Sequence, residues 1–299
     1  MHADLMELLV CPEDETHALS LTALVRDGDA IREGRVACPV CGPLFRIHEG
    51  ILISSSVDKG ALSDVKAQEI ARRDLGYKDV KNYQLHPDRL AEYDAIKTAV
   101  GDCAGQWVLD AGCGVGQTTK VFQGAARGVG IDFSLAGLLN FNFDPVRKMD
   151  LIQGDVCKRY FRPALFDTII SSQVLEHIPT QEERLAFIGQ LGRAMKPSGL
   201  CVLTVYNFDK TRVAMGVPKE GRHDNGIFYH CYSQDELAAE MSRHFKVEAV
   251  WGLNILLPMT YRLVNLMGRR VVLWERIWRK TPLARDYGKL LLAVCRKKP

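Results

Sequence analysis

A glycine-rich turn after a short apolar segment is the feature that most constrains the fold. The stretch VLDAGCGVGQTT runs from residue 108 to 119 and passes through Asp110, Gly112, Gly114 and Gly116. Glycine is needed where the backbone takes positive φ or where a ligand must approach the chain closely. A helix predicted from about residue 116 would present unpaired N–H groups to such a ligand. The pattern therefore predicts a strand, a ligand-binding turn and a helix.

A second acidic residue supports this interpretation. The segment RGVGID ends in Asp132, 22 residues after Asp110. A glycine turn followed by an acid about 20 residues later is typical of a nucleoside site on a doubly wound sheet, where the acid binds the ribose hydroxyls. The glycine spacing is GxGxG and not the GxGxxG of nicotinamide enzymes. This difference favours a ligand without a pyrophosphate.

The turn resembles motif I of the class I S-adenosylmethionine-dependent methyltransferases, and three further landmarks follow in that family's order. They are QGDV with Asp155, FDTIISSQVLEHI at 166–178 and LGRAMKPSGLCVLTVYN at 191–207. The resemblance covers roughly residues 80 to 207. It implies an α/β fold with a Rossmann-like seven-stranded sheet whose last strand is antiparallel. The four ordered landmarks disfavour the alternative, an ordinary α/β domain with a coincidental glycine turn.

The same resemblance implies S-adenosylmethionine as the methyl donor. The turn would cradle the methionine part, Asp132 would bind the ribose, and Asp155 would receive the adenine amino group with Val156 against the ring. The expected donor-binding residues are Asp110, Gly112, Cys113, Gly114, Gly116, Gln117, Thr118, Asp132, Phe133, Asp155, Val156, Ser172 and Gln173.

Two histidines are candidates for the catalytic base. Methyl transfer to an oxygen or a protonated nitrogen needs a proton acceptor, and histidine has a suitable pKa. His177 follows the predicted fourth strand, and His230 lies in the segment after the fifth strand. A structural role is the alternative for each. The turn SSQV replaces the NPPY-type turn of amide and base N-methyltransferases, which favours a small-molecule acceptor.

The N-terminal cysteines predict a structural metal site. Cys38 and Cys41 form CPVCG, a knuckle whose spacing suits zinc, and Cys11 begins a second knuckle in LLVCPED. The surrounding sequence resembles the zinc-ribbon activator subunit of tRNA methyltransferases, but Asp14 stands where a second cysteine is expected. The predicted Zn²⁺ ligands are Cys11, Asp14, Cys38 and Cys41. His17 is the alternative fourth ligand, and loss of the metal from a surviving fold is the other option.

These motifs divide the chain into three parts. Residues 1–57 are expected to form a small zinc-ribbon-like β module, and 58–100 a helical linker and lid. The resemblance to the methyltransferases implies that Tyr83 and Arg89 contribute to the cofactor site, and a surface position on the lid helix is the alternative for both. Residues 101–299 form the methyltransferase domain. Insertions at 207–232 and 253–285 are expected to contact the acceptor.

Composition and charge indicate which kinds of partner the protein is expected to bind. The chain of 299 residues has a net charge of +3, and the module at 1–57 contains more acidic than basic residues, which argues against nucleic acid. Nine cysteines, no signal peptide and no long apolar run predict a cytoplasmic protein. The Trp- and Arg-rich second insertion fits an apolar natural-product or lipid-linked acceptor, a peripheral membrane contact or a homodimer contact. An RNA methyltransferase and a non-catalytic binding protein are the alternative functions.

Overall fold

The computed structural model describes residues 1–57, 64–77, 87–141, 149–255 and 270–298. The strands in these ranges are β1 (Ser20–Asp27), β2 (Ala30–Cys38), β3 (Gly42–His48), β4 (Ile51–Ser54), β5 (Trp107–Ala111), β6 (Arg127–Asp132), β7 (Met149–Gln153), β8 (Phe166–Ser172), β9 (Met195–Tyr206), β10 (Glu220–Arg222), β11 (Phe228–His230), β12 (Phe245–Ile255) and β13 (Gly288–Lys297).

The helices lie mainly between the strands from β5 onward. They are α1 (Asp64–Tyr77), α2 (Pro87–Val100), α3 (Leu135–Leu139), α4 (Gln181–Ala194), α5 (Lys210–Ala214), α6 (Gln234–Met241), α7 (Val271–Trp278) and α8 (Pro282–Tyr287). Short 3₁₀ turns occupy Ala3–Glu7, Ser55–Val57, Thr119–Phe122 and Leu175–His177. None of the helices described is long and apolar enough to cross a membrane.

The main sheet confirms the predicted Rossmann-like architecture. Seven of its strands run in the order β7-β6-β5-β8-β9-β13-β12. The pairs from β7 to β9 are parallel, whereas β13 is antiparallel to both β9 and β12. In such sheets ligands bind outside the carboxyl ends of the parallel strands. The ends of β5, β6 and β8 therefore define where the site should lie.

The N-terminal module continues this sheet and does not form a sheet of its own. Strands β1 to β4 pair in sequence as antiparallel neighbours, and β4 pairs in parallel with β7, with Ile51 opposite Leu151 and Ile53 opposite Gln153. All of Ile51–Ser54 is buried. Strands inside a parallel array are covered on both faces, which explains the continuous apolar run. One sheet of eleven strands results.

The glycine turn leads into a 3₁₀ turn at Thr119–Phe122 and not into the α-helix predicted from about residue 116. Gly124, at φ 83°, ends the segment before a longer helix forms. The side chain of Thr119 is buried and donates to Asp110, at the carboxyl end of β5. The turn is therefore held by side-chain and backbone hydrogen bonds and receives little support from a helix dipole.

The later part of the chain adds local structure to this sheet. Ser233 and Glu236 form a capping box at the start of α6. The first insertion, 207–232, contains α5 and the β10–β11 hairpin. The second insertion begins in β12 and contains α7 and α8, and its residues 256–269 lie outside the described residues, as does Tyr83.

Candidate functional site

A cavity of about 830 Å³ lies at the carboxyl ends of β5, β6 and β8 and contacts residues of α1. We call it the central cavity. Its lining residues are Glu69, Arg73, Tyr77, Arg89, Gly112, Asp132, Phe133, Val156, Ser172, Gln173, Val174, His177, Ile178 and Tyr206. Six predicted donor-binding residues and one predicted catalytic histidine are thus brought together at one place.

The glycine turn borders a second cavity, the turn cavity, which shares Tyr77, Arg89, Gly112 and Ser172 with the first. The predicted residues Cys113, Gly114, Gln117 and Thr118 also line it. At Gly112, where φ is 90°, an added Cβ would lie 2.0 Å from Val174 Cγ2. At Gly114 it would lie 2.6 Å from the Tyr77 hydroxyl. Positive φ and these neighbouring side chains therefore favour glycine at both positions, and the approach of a ligand to the turn stays a prediction.

The carboxylate of Asp132 supports the turn and also faces the central cavity. Its Oδ2 accepts the Gly114 N–H at 2.8 Å, and its Oδ1 accepts the Ser134 N–H at 2.8 Å. Burial raises the pKa of Asp132, against the opposing effect of these two donors. A carboxylate offers about four lone-pair sites. The Asp132 carboxylate can therefore still accept hydrogen bonds from the hydroxyls of a ribose.

Asp110 and Gly116 lie behind the cavities and do not line them. Asp110 is fully buried, and its Oδ2 accepts the Thr119 hydroxyl at 2.5 Å. Its other oxygen has no partner among the described residues, and burial raises the pKa of Asp110 to about 7. Gly116 packs against the ring of Phe141. Both residues shape the turn from within.

Asp155 points to a different part of the molecule. Its Oδ2 lies 2.7 Å from Lys66 Nζ, which also lies 2.5 Å from a carboxylate oxygen of Glu183. These three side chains line a separate cavity near the N-terminal module, whereas the neighbouring Val156 reaches the central cavity. The role of Asp155 with adenine stays a prediction, because in this structure its carboxylate is paired with α1.

Glu92 is a site residue that the sequence analysis missed. It is 1% exposed and accepts four hydrogen bonds. The donors are Ser172 Oγ at 2.9 Å, Gln173 Nε2 at 2.6 Å, Thr204 Oγ1 at 2.7 Å and Arg89 Nη1 at 2.9 Å. The signal in the sequence was its position on the apolar face of α2, next to Ala91 and four residues before Ile96. A charged residue on a buried stripe requires partners.

His177 lies at the boundary between the central cavity and a third one. Its Nδ1 is 2.7 Å from the carbonyl oxygen of Phe228. Because a carbonyl only accepts, Nδ1 carries the proton and Nε2 keeps its lone pair. Burial, together with the nearby Arg73 guanidinium, holds the pKa of His177 well below 6.5. The ring is therefore neutral at physiological pH.

The third cavity, the outer cavity, has a volume of about 980 Å³. Its lining residues are Arg72, Arg73, Gly76, Tyr77, His177, Tyr206, His223, Asp224, Asn225 and Ile227. The His177 ring centroid lies 5.4 Å from that of Tyr206, and the His223 centroid lies 4.8 Å from that of Tyr229. Rings and arginines thus surround a space that borders the central cavity, and His177 lines both.

His230 does not lie with His177. Its Nδ1 is 3.3 Å from a Glu220 carboxylate oxygen, and its Nε2 is 2.9 Å from one of Glu236. It is 5% exposed and lines none of the three cavities described above. With both ring nitrogens facing carboxylates, His230 joins the hairpin to α6 and is not placed to accept a proton from a molecule in these cavities.

The N-terminal cysteines form a compact group with His17. The ligand atoms of Cys11, His17, Cys38 and Cys41 all lie within 4.8 Å of one another. Burial raises the pKa of the Cys38 thiol, but N–H donors of Cys41 and Val40 outweigh it and bring the value to about 7. These are suitable surroundings for a thiolate.

The structure places His17, and not the predicted Asp14, with the three cysteines. His17 Nδ1 is 3.4 Å from Cys38 Sγ. The Asp14 carboxylate lies on the other side of the ring, 3.6 Å from His17 Nε2, and also accepts from Thr16. Asp14 therefore orients the histidine from behind. Its short side chain is held in this local turn by the two hydrogen bonds from Thr16.

Comparisons with known proteins agree with the site. Residues 109–203 match the family model described as a methyltransferase domain. A candidate methyltransferase of Encephalitozoon cuniculi is 30% identical over 142 residues, which cover 44% of this chain and 65% of that protein. A probable S-adenosylmethionine-dependent methyltransferase of Mycolicibacterium smegmatis is 29% identical over 106 residues, covering 35% and 40%. The matched region thus spans less than two thirds of each relative.

A solved structure shows the same fold. The 1,6-didemethyltoxoflavin-N1-methyltransferase of Burkholderia thailandensis, which holds S-adenosylhomocysteine, superposes with a TM-score of 0.54 at 17% identity, covering 89% of this chain and 96% of that one. Residues 109–203 therefore match a methyltransferase domain, and the described chain has the fold of the Burkholderia methyltransferase.

Proposed function

We propose that the protein transfers a methyl group from S-adenosylmethionine to a small-molecule acceptor. The observation that carries this proposal is the position of His177, a neutral imidazole with its Nδ1 hydrogen committed, between the central and outer cavities. The donor would occupy the central and turn cavities, and the acceptor would occupy the outer cavity. This arrangement would hold the two reactants on either side of one proton acceptor.

In this proposal the glycine turn holds the methionine part of the donor, and Asp132 and Val156 hold the nucleoside. Arg89 receives the donor's carboxylate, since among the described residues that line the turn cavity it is the one cation. Glu92 uses a single Nη1 hydrogen of this guanidinium. A guanidinium has five N–H donors, so the rest can form a charge-assisted pair with a carboxylate.

The main contribution of the protein to this reaction is to align the donor and the acceptor. S-adenosylmethionine supplies an electrophilic methyl group on a sulfonium with a neutral thioether leaving group. The side chains around the two cavities would align the acceptor with the donor's methyl group, and such positioning is worth up to about 7–11 kcal/mol in favourable models. Nε2 of His177 accepts the proton released from the acceptor oxygen or nitrogen.

The outer cavity supports a small acceptor more than a polymer. It is partly enclosed by α1, where Arg72 donates to the carbonyl oxygen of Gly226 at 2.6 Å and so connects the helix to the first insertion. Its aromatic lining suits a ring-bearing molecule. The Burkholderia neighbour, which shares the fold, holds 1,6-didemethyltoxoflavin. The acidic balance of residues 1–57 gives no support to RNA docking.

A labelled-donor experiment tests this function. The protein is incubated with methyl-labelled S-adenosylmethionine and separated small-molecule and RNA fractions of a cell extract. We expect label in the small-molecule fraction. The variant His177→Asn keeps a side-chain N–H for the Phe228 carbonyl but removes the base, so kcat should fall by about 10²–10⁴ with unchanged donor affinity. The matched variant His244→Asn changes a histidine that packs against Gly192 and should retain activity.

Three outcomes contradict the proposal. Label found only in RNA would support the alternative of an RNA methyltransferase. Full activity of His177→Asn would show that His177 is not the base. A protein that binds S-adenosylhomocysteine but labels neither fraction would favour a non-catalytic binding protein.

We further propose that Cys11, His17, Cys38 and Cys41 hold one structural Zn²⁺. Two thiolates each about 2.3 Å from a tetrahedral zinc lie about 3.8 Å apart, close to the 3.6 Å between Cys11 Sγ and Cys41 Sγ. Three thiolates and an imidazole complete a closed set with no position for substrate. Asp14 would accept from His17 Nε2–H, as carboxylates behind zinc-bound histidines do.

A further inference from the structure

One face of α1 brings two arginines to the outer cavity. Residues 72, 73, 76 and 77 of this helix line the cavity. Residues four apart in a helix lie one above the other, so Arg72 shares a face with Gly76, and Arg73 shares one with Tyr77. Helix α1 therefore gives the outer cavity two guanidinium groups and one aromatic ring.

The protein uses only part of the hydrogen-bonding capacity of these arginines. Arg73 pairs through Nε with a carboxylate oxygen of Glu69 at 3.2 Å, and Arg72 donates through Nη1 to the carbonyl oxygen of Gly226 at 2.6 Å. A guanidinium has five N–H donors. Among the described residues, no carboxylate pairs with Arg72, and the Nη atoms of Arg73 have no partner. Each arginine thus keeps N–H donors for a group in the cavity.

Positive charge predominates around the outer cavity. Besides Arg72 and Arg73, its described lining has one residue that is charged at neutral pH, the exposed Asp224. Burial, together with the nearby guanidinium groups of Arg212 and Arg73, lowers the pKa of His223 below 6.5 against the opposing effect of Asp224. An anion bound in the cavity would therefore meet a positive field, which is stronger where the cavity walls exclude water.

The methyl donor leaves this charge available. In the proposed function the donor's carboxylate is received by Arg89 in the turn cavity. Neither Arg72 nor Arg73 lines that cavity. S-adenosylmethionine has no second anionic group, so it supplies no partner for the two arginines of the outer cavity.

We propose that the acceptor is a ring-bearing oxyanion, either a carboxylate or a phosphate ester, whose charged group is held by Arg72 and Arg73. This inference rests on the proposed function, in which the outer cavity binds the acceptor. The guanidinium fork matches the oxygen atoms of both groups, and such charge-assisted hydrogen bonds are stronger than neutral ones. The rings of Tyr206 and His223, whose centroids are 5.7 Å apart, provide an aromatic surface for the rest of the molecule.

Labelling of separated acceptor fractions tests this inference. The small-molecule fraction of a cell extract is divided on an anion exchanger at pH 8, and each part is then incubated with methyl-labelled S-adenosylmethionine and the full chain. We expect label in the retained molecules and little in those that flow through. Phosphatase treatment before the incubation distinguishes the two oxyanions, because it lowers the labelling of a phosphate ester and leaves that of a carboxylate unchanged.

Two variants test the assigned arginines. Arg72→Gln and Arg73→Gln should each lower the initial rate with the retained molecules by about tenfold or more, because each removes a charge-assisted hydrogen bond. The matched control is Arg222→Gln, since Arg222 donates to the same Gly226 carbonyl as Arg72 but does not line the cavity. Its rate should equal that of the unaltered chain. Affinity for S-adenosylhomocysteine, measured in every variant, should stay the same and shows that the fold is intact.

The outcomes separate this inference from the proposed function. Label found only in the molecules that flow through would overturn the inference and leave the proposed function standing. Label in neither part would contradict both. Unchanged rates for Arg72→Gln and Arg73→Gln, or an equal loss for Arg222→Gln, would overturn the assignment of the oxyanion to these two arginines.

Discussion

At the scale of single residues, the carboxyl group of Glu176 lies in an environment very different from water. It is fully buried, and neither carboxyl oxygen has a hydrogen-bond partner among the described residues. Burial, together with the neighbouring Glu92, raises the pKa of Glu176 to about 8. The side chain is therefore protonated at neutral pH. Nothing in VLEHI distinguishes this glutamate from an exposed one, because its environment is assembled from distant segments.

Glu176→Gln should stabilise the protein increasingly as the pH rises. Below about 4.5, its ordinary pKa, the glutamate is neutral in both the folded and the unfolded chain. Between that value and about 8 only the unfolded chain ionises, so stability falls as pH rises, by about 1.4 kcal/mol per unit. Glutamine has no such loss. Urea unfolding at pH 5 and pH 8 should show a gap of several kcal/mol that opens toward pH 8.

The exposed Glu248→Gln is the control for this comparison, since Glu248 forms only a surface pair with Arg296 at 3.5 Å. A gap for Glu176→Gln that does not change with pH would mean that Glu176 is ionised in the folded state.

Arg89 gives a test of the donor's orientation. Arg89→Gln should weaken binding of S-adenosylhomocysteine by about 1.5–3 kcal/mol, the usual value of a hydrogen bond to a charged group. Binding of the decarboxylated analogue should not change, because it lacks the proposed partner. Isothermal calorimetry measures both, with Arg222→Gln as a matched variant at a residue that donates to the Gly226 carbonyl. Equal losses for the two ligands would show that Arg89 acts on the fold and not on the carboxylate.

At the scale of elements, α2 positions the end of β8. Glu92 joins this helix to Ser172 at the end of β8, to Gln173 directly after it and to Thr204 of β9. Gln173 has φ 54°, a conformation that a side chain rarely adopts without such support. The sequence predicted the strand and the turn, because apolar runs and their polar ends are local signals. It did not predict what holds the turn, since the acceptor comes from a helix about 80 residues earlier.

Glu92→Ala should lower the unfolding free energy by about 3–5 kcal/mol, the usual result of removing one partner from a buried charged network. Glu92→Gln retains the side chain's shape and one acceptor and should cost less. Denaturant unfolding of the two variants measures this. A small, equal cost for both would indicate that water replaces the carboxylate and that α2 does not position the turn.

At the scale of the whole molecule, the β4–β7 pairing joins the N-terminal module to the catalytic sheet. Ile51 to Ile53 pair with Leu151 to Gln153, and these latter residues lead directly into the Asp155 and Val156 segment. A change at the module's cysteine group should therefore alter the stability of the methyltransferase domain. Motifs predicted the module and the domain separately, whereas their common sheet depends on an edge pairing that no local pattern specifies.

Removing the metal should destabilise the entire chain. The purified protein should contain about one zinc per chain. Chelation, or Cys38→Ser, should lower the midpoint of a single thermal transition that includes loss of the donor-binding fold. Asp14→Asn should reduce zinc affinity by about 10–100-fold without abolishing it. Protein with no zinc after purification without chelator would refute the site, and two separate transitions would show that the module is energetically independent.

The sequence by itself determined the glycine turn and the place of Asp132 at the end of the next strand, because apolar runs and positive φ are properties of a few residues. Those signals, together with the resemblance of four ordered landmarks to class I methyltransferases, predicted the Rossmann-like sheet. The tertiary structure alone separated His177 from His230, placed His17 instead of Asp14 beside the cysteines, and paired Asp155 with Lys66. Each of these outcomes depends on which polar groups meet across distant segments, and burial then sets their hydrogen bonds and charge states.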